Sequence, residues 1–425
     1  MKRISAVLLL GVLVACSSNT VPMAPQKSPH FDVVSANLQL GGTVYTYVDI
    51  DGDAERAANF FISLVRDLPA LEASHTLWPL SATSLVRVLG LANLHAIGLS
   101  SYKKTSLYHN RSFIYYTGPR EGLLKVFGGE PADLRLRTIA PEVADLVWEQ
   151  QFDLKVLVDI VRALGERGLG ASPAKVDALL AESFLGLNIT IGEVVERLDT
   201  TAGLILEVDE ERVLRIPGES FWFPYMDFLF QIDGLGDLVD ALAKRAAFDP
   251  FIRAERTNQW LIIGPGIRLP PPWNAYEPRL IKDLATGRMY LVSSPDYLTK
   301  CLSQQSDLTA TTDFAEAFDG LPTIGNGMLF ASPQLTREMH AMLDRVINHG
   351  GSTILTTVVR FLLPDAGSPI GWVGMNRSDG LLFTSNSASS HKSTFVTLAY
   401  AALLPAVAIF GASELGPSRE AASLN

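Results

Sequence analysis

Two cysteines, Cys16 and Cys301, are all that the 425 residues contain. A disulfide framework is therefore excluded, and the fold must rest on buried apolar surface. Charge is sparse too: Asp, Glu, Lys and Arg make up 19 % of the chain, and their balance is acidic, at −10. No block of lysine and arginine interrupts it. That removes the electrostatic footprint of a nucleic-acid-binding protein and leaves no polybasic patch to grip anionic lipid. The chain has no Gly-x-x-x-x-Gly-Lys phosphate loop and no Gly-x-Ser-x-Gly elbow. Its seven histidines are His30, His75, His95, His109, His340, His349 and His391. No two stand at His-x-x-x-His spacing and no cysteine pair accompanies them, so spacing supports neither a metal nor a cofactor. What the chain has in quantity is apolar residues, at 48 %, enough for a sizeable core and against global disorder.

The N-terminus is the most informative stretch. Lys2 and Arg3 precede an apolar run from Ala6 to Val14, and Leu13-Val14-Ala15-Cys16 closes it. The run is too short to span a bilayer, which takes roughly 20 residues. It reads as a secretory signal over residues 1–15 with a small residue before the cut. Leu-Val-Ala-Cys resembles the lipobox of bacterial lipoproteins. That resemblance implies that Cys16 is acylated, that the peptide ahead of it is removed, and that the chain hangs from a membrane of the bacterial cell envelope facing the periplasm. The alternative is an ordinary cleaved signal. Ser17 follows the cysteine, which in some lineages favours the outer membrane. With Cys16 lipidated, Cys301 is left alone in Tyr297–Leu302, which reads as a helix carrying a small buried thiol.

Residues 16–30 are polar and proline-bearing and read as a tether. Beyond them we expect an α+β fold of two related mixed units, antiparallel sheets packed by helices, over 31–217 and 218–392. Period-2 stretches predict strands at 43–50, 94–100, 112–117, 122–127, 203–208, 227–232, 257–263 and 288–293, and a hairpin over 371–385. The turns between the early strands are placed at Asn110-Arg111 and Gly118-Pro119. Helical spacing predicts helices at 54–67, 81–89, 154–164, 173–181, 191–198, 238–247, 295–302, 312–318 and 335–348. Residues 264–278, with Pro270-Pro271-Pro272-Trp273, read as an extended surface loop. A strand, Ile-Asp-Gly and a helix recur at 48–53 and 230–237, and Val195–Asp199 before Gly203 parallels Ala315–Asp319 before Gly327. These matches suggest an internal duplication.

Residues 394–412 carry no charge and just meet the length of a membrane-spanning helix. We expect a C-terminal apolar helix there that either spans a bilayer or is buried, with residues 413–425 as a tail. Flanking charge sets no orientation, since Lys392 precedes it and Glu414, Arg419 and Glu420 follow.

Little catalytic chemistry is legible. Asp49, Asp51 and Asp53 imitate the start of a calcium loop, but Ala54 and Phe60 stand where it needs Gly and Glu. Helix capping explains these acids better. Ser101-Tyr102-Lys103-Lys104 matches the Ser-x-x-Lys pattern of acyl-transfer enzymes, yet Ser101 falls at a strand end and no Lys-Thr-Gly follows. Trp222, Tyr225, Trp273 and Tyr276 form an aromatic set that either lines a ligand groove or packs a domain interface.

Asp313–Pro322, followed by Gly325-Asn326-Gly327 and Ala331-Ser332-Pro333, resembles a group of uncharacterised bacterial envelope proteins, as do Asp379-Gly380 and Thr384-Ser385-Asn386. The likeness covers about the last third of the chain and implies no catalytic residue. The expectation is a membrane-attached envelope protein acting as a non-enzymatic binding or scaffolding module, with an envelope protein as a possible partner. The alternative is an envelope hydrolase or acyl-transfer enzyme with a serine nucleophile.

Overall fold

Alternation of apolar and polar residues in the strand segments is realised as one large sheet. The computed structural model describes residues 27–66, 81–167, 171–215, 222–303, 307–348 and 366–393, with Pro217, Gly218 and Leu363 besides. The signal segment, Cys16 and the apolar helix expected at 394–412 lie outside these residues. Among those described, no helix is long and apolar enough to cross a membrane.

The chain opens with helix α1 (Phe31–Ala36), strand β1 (Val44–Asp49), helices α2 (Asp53–Arg66) and α3 (Ala82–Val88), and strands β2 (Leu94–Lys104) and β3 (Leu107–Tyr116). The short β4 (Ala132–Asp133) and α4 (Leu136–Ile139) lead to β5 (Leu146–Asp153). Helices α5 (Lys155–Glu166), α6 (Pro173–Ala181) and α7 (Ile191–Glu196) precede the long pair β6 (Asp199–Arg215) and β7 (Trp222–Ile232). Next come α8 (Gly236–Ala246), β8 (Ile252–Arg256), β9 (Trp260–Pro265), β10 (Arg279–Asp283) and β11 (Met289–Val292). Helices α9 (Pro295–Leu302) and α10 (Thr312–Ala317) and the short β12 (Ile324–Gly325) lead to β13 (Gly327–Ala331). Helix α11 (Pro333–Val346) and the hairpin β14 (Ile370–Arg377) and β15 (Gly380–Ser387) follow.

Thirteen of these strands form one sheet in the order β1-β2-β3-β15-β14-β13-β5-β6-β7-β11-β10-β9-β8, and every adjacent pair in it is antiparallel. The remaining two, β4 and β12, pair with each other. Strands from before and after residue 217 interleave, because β15 bonds to β3, β13 to β5 and β7 to β6. The protein is thus a mixed α+β structure built on a large antiparallel sheet.

Register decides which face each residue takes. Val292, Leu229, Ile205, Val147 and Phe330 stand opposite one another across five strands, and all are fully buried. They meet Tyr297, Leu298 and Cys301 of α9 and Phe314 and Ala317 of α10 in the main core. One residue along, Leu291, Phe230, Leu204, Trp148, Leu329 and Trp372 form the next row, on the other face. None of these six is fully buried. At one end of that second face, α7 and α8 bring Val194 and Val239 onto Ala202, Ile232 and Met289.

Helix starts follow their caps. Thr190 and Glu193 form a reciprocal capping box on α7. Ser294 and Ser332 each accept an amide at the head of α9 and α11, with proline next in sequence. Cys301 is buried on α9, and burial pushes its thiol up to about 12, so it is an inert core residue.

Three stretches differ from the sequence expectation. Asn110-Arg111 is not a turn: β3 runs through it, and the β2–β3 turn falls at Thr105-Ser106, with Thr105 at φ 54°. Asn110 looked like a turn residue, but its polarity is spent on buried hydrogen bonds. Residues 122–127 form a 3-10 helix instead of a strand. Gly90 and Gly122 explain why: a Cβ on Gly90 would lie 1.9 Å from the Glu121 carbonyl oxygen, so the two backbones touch and Leu123 N–H donates to Leu89 at 3.0 Å. The expected loop 264–278 contains the 3-10 turn Trp273–Ala275, and β10 begins directly after it.

Candidate functional site

The second face of the sheet carries a groove. Its floor is Leu204 and Leu206 of β6 with Met226 and Phe228 of β7. Leu206 pairs with Phe228, and Leu204 with Phe230, so alternate residues of both strands arrive on one surface. The wall is the segment between β9 and β10, through Leu269, Trp273, Tyr276 and Pro278. The hollow has a volume of about 500 Å³, and its lining is almost wholly apolar. That size lies within the range of small-molecule sites, about 300–1,000 Å³.

Hydrogen bonds fix the wall. Asn274 N–H donates to Pro270 at 3.1 Å and Tyr276 N–H to Trp273 at 3.1 Å, which closes the 3-10 turn. Glu277 N–H donates to the Ser293 carbonyl at 3.0 Å and ties the segment to the end of β11. Below it, Tyr276 stacks on Tyr225 with centroids 4.7 Å apart and planes 18° apart. Arg212 covers the ring of Tyr225 at 3.6 Å. The Tyr225 hydroxyl donates to Asp227 at 3.2 Å, and Ser293 Oγ donates to the same oxygen at 2.6 Å. Burial, with the Asp227 carboxylate adding to it, pushes the Tyr225 phenol up to about 12; burial raises Tyr276 as well. Both rings are neutral at physiological pH, so they bring no charge to the wall.

The four aromatics expected to line a groove therefore separate. Trp273, which is 60 % exposed, and Tyr276 line it. Tyr225 lies buried beneath Tyr276 as its support. Trp222 stands apart, four residues before Met226 on β7, with the guanidinium of Arg345 over its ring at 3.7 Å. Sequence reasoning missed Leu204, Leu206, Met226 and Phe228. Their signal was present as alternation in both strands, but alternation does not say which part of a face the described helices leave uncovered.

A shallower hollow of about 350 Å³ continues the same face between Trp148, Leu329, Ile370 and Trp372. At the other end of β5 to β7 lies a polar hollow of about 490 Å³ containing Glu149, Gln231, Asp233 and Arg288. There Arg288 Nε donates to Asp233 at 2.6 Å. Glu149 is buried, accepts the Leu136 amide at 2.7 Å and has its pKa raised by burial.

Ser101 is fully buried in β2. Its hydroxyl donates to Asn110 Oδ1 at 2.7 Å and accepts the His391 amide at 3.0 Å. Three residues along a strand point to opposite faces, and Lys104 forms an ion pair with Asp319 at 2.6 Å. The pair has no nucleophile–base geometry. The asparagines of the C-terminal motifs are structural. Asn326 donates to Gly129 and Gln151 at 3.0 and 2.9 Å and accepts the Asn376 amide at 2.8 Å. Asn386 donates to Ala317 and Asp319 at 2.9 and 3.0 Å. Ser332 Oγ donates to the buried Asp145 at 2.5 Å while capping α11.

Among the described residues, one group of histidines and acids is close enough to hold a metal: His30, Asp51 and His95, at the β1 edge of the sheet. These residues are 21 and 44 positions apart, a spacing that no sequence pattern flags. No protein-family model, no curated protein and no solved structure matches this chain.

Proposed function

We propose that this is a lipid-anchored envelope protein whose sheet binds an apolar chain, without catalysing a reaction. The observation that carries the reading is the groove floored by Leu204, Leu206, Met226 and Phe228 and walled by Trp273 and Tyr276. Large apolar residues along an accessible sheet face are costly to leave in water, at roughly 25 cal/mol per Å². An acyl chain or similar ligand suits such a hollow, because it needs surface and few hydrogen bonds. Acylation at Cys16 and attachment to a periplasm-facing membrane belong to the same reading, on the strength of Leu13-Val14-Ala15-Cys16. So does a second membrane attachment, or a contact with an envelope partner, through residues 394–412. Whether the inner or outer membrane is the host depends on that segment, since a helical span fits the inner one.

The two related units also belong here. The strand order outward from the β13–β5 junction is β13-β14-β15 then β3-β2-β1 on one side, and β5-β6-β7 then β11-β10-β9 on the other. Divided after β7 and not at residue 217, each half of the chain thus supplies three strands, a helical link, a central strand, a helical segment (three helices in the first half, α11 in the second) and a hairpin, which is the succession a duplication leaves. The Ile-Asp-Gly turns do not mark equivalent points in it, since β1 mirrors β9 and β7 mirrors β15.

A dansylated fatty acid titrated into the purified protein tests the binding reading. Saturable binding that weakens severalfold in Trp273→Ala and is lost in Met226→Asp supports it. Binding that is non-saturable, or equal in all three proteins, refutes it.

A further inference from the structure

At the β1 edge, far along the sheet order from the groove, three ligating side chains from three segments converge. His30 immediately precedes α1, Asp51 sits in the turn after β1, and His95 stands in β2 where the pairing with β3 shifts register. Backbone bonds fix the arrangement, since Ile50 N–H donates to the His95 carbonyl at 2.8 Å. His30 Nε2 lies 2.7 Å from one Asp51 oxygen, and His95 Nδ1 lies 2.5 Å from the other. The three ligand atoms fall within 4.8 Å of one another. The two imidazoles stack with centroids 4.7 Å apart, and Tyr115 packs against both at 5.4 and 5.5 Å. The side chains are 16 %, 50 % and 21 % exposed in the order His30, Asp51, His95, so the group is held in place yet open to solvent.

We propose that His30, Asp51 and His95 bind one divalent transition-metal ion of the zinc class. Two imidazoles and one carboxylate are a borderline donor set, which suits zinc and its neighbours better than calcium or magnesium. Solvent completes the coordination shell, as the half-exposed Asp51 permits. The remaining nitrogen of His95 already has its partner: Nε2 stands 2.8 Å from Thr117 Oγ1. A histidine that ligates through Nδ1 donates its Nε2–H, and Thr117 is placed to accept it and fix the ring. Without a metal, each nitrogen facing Asp51 must carry a proton and donate it to the carboxylate. The ion takes the place of those two protons: in a neutral ring the proton moves to the other nitrogen, which for His95 is Nε2 facing Thr117, and only a cationic ring releases its extra proton to solvent.

The site also has a structural consequence. His30 lies fourteen residues after Cys16, and the segment before it is clipped to β1 by Ser28, whose hydroxyl donates to Asp49 at 2.5 Å. A bound ion joins this N-terminal arm to the β1–β2 edge and sets how the sheet hangs from its anchor.

The test is isothermal titration of zinc chloride into full-length, chelator-treated protein, with His30→Ala and His95→Ala alongside. The expected result is one zinc per chain in the wild type and affinity at least tenfold weaker in each variant. Cobalt(II) adds a readout independent of heat: visible d–d absorption in the wild type that both variants lose. Circular dichroism of the metal-free variants shows whether they fold. If either does not, Thr117→Val keeps the test alive, with an expected loss of about tenfold in zinc affinity through the His95 ring. The absence of zinc binding by the wild type overturns the proposal. So does zinc binding of unchanged stoichiometry and affinity in the variants. Either result reduces the cluster to two imidazole–carboxylate hydrogen bonds.

Discussion

Leu204 and Ile205 are adjacent on β6 and face opposite ways, so the same truncation at each should have different consequences. Ile205 is fully buried between Leu229 and Val147, under the helices of the main core. Ile205→Ala removes three buried carbons and leaves a cavity, which costs about 2–5 kcal/mol. Leu204 is only partly buried and faces the groove. Removing its three carbons at about 0.8 kcal/mol each gives ~2.4 kcal/mol at full burial. Most of that, about 2 kcal/mol, is realised in the free protein; the remainder, under about 1 kcal/mol, appears only when a ligand covers the residue. Leu204→Ala should therefore lower stability less than Ile205→Ala and weaken an acyl probe about two- to fourfold, while Ile205→Ala should lower stability alone. Urea unfolding followed by tryptophan fluorescence reads the first quantity, and titration of a fluorescent fatty acid at 25 °C reads the second. If Leu204→Ala destabilised the fold as much as Ile205→Ala and left probe binding unchanged, the groove would be packing surface and the reasoning would fail.

Other consequences are open to direct measurement. Burial raises the Glu149 pKa, so folding holds its proton where the unfolded chain releases it, and stability falls as pH rises from the unfolded value near 4.5 through the folded one. Glu149→Gln should therefore gain in urea midpoint relative to wild type between pH 4 and pH 7; a gap that narrowed over this range would contradict the assignment. Ser101→Ala strands Asn110 Oδ1 and the His391 amide in a buried site and should cost about 1–3 kcal/mol. It should leave labelling by a serine-directed probe unchanged, and loss of labelling would revive a nucleophilic role. Cys16→Ala in the full chain should stay with membranes if residues 394–412 span a bilayer, and the same variant ending at Ser393 should be released. Release of both variants would show that the C-terminal segment belongs to the fold.

Local chemistry made parts of the architecture readable in advance. The hairpin around Arg377–Gly380 announced itself by alternation and an Asp-Gly turn, and α9 and α11 by helical spacing, although α11 starts two residues before 335, at Pro333 behind its Ser332 cap. Reading failed where polarity points inward. Asparagine favours turns, yet the Asn110 amide reaches Ser387 and Ser389 inside the sheet. The real turn uses Thr105 and Ser106, which carry no strong turn signature. Sheet order was out of reach, since β3–β15 and β7–β11 join residues far apart in the chain. The groove was half legible. Trp273 and Tyr276 stood out as aromatics beside prolines, whereas its floor became visible only once α9 and α10 were seen to lie on the opposite face and α7 and α8 at one end of this one. The histidine–aspartate cluster needed the β1–β2 pairing to exist at all.

Photolabelling tests the central reading most directly. A fatty acid carrying a diazirine near its methyl end, bound to the purified full-length protein and irradiated, marks the residues that its chain touches. The account expects saturable labelling concentrated on peptides containing Met226, Phe228 and Trp273, competed away by unlabelled fatty acid. Labelling spread over the surface, or focused elsewhere and unaffected by Met226→Asp, would contradict it.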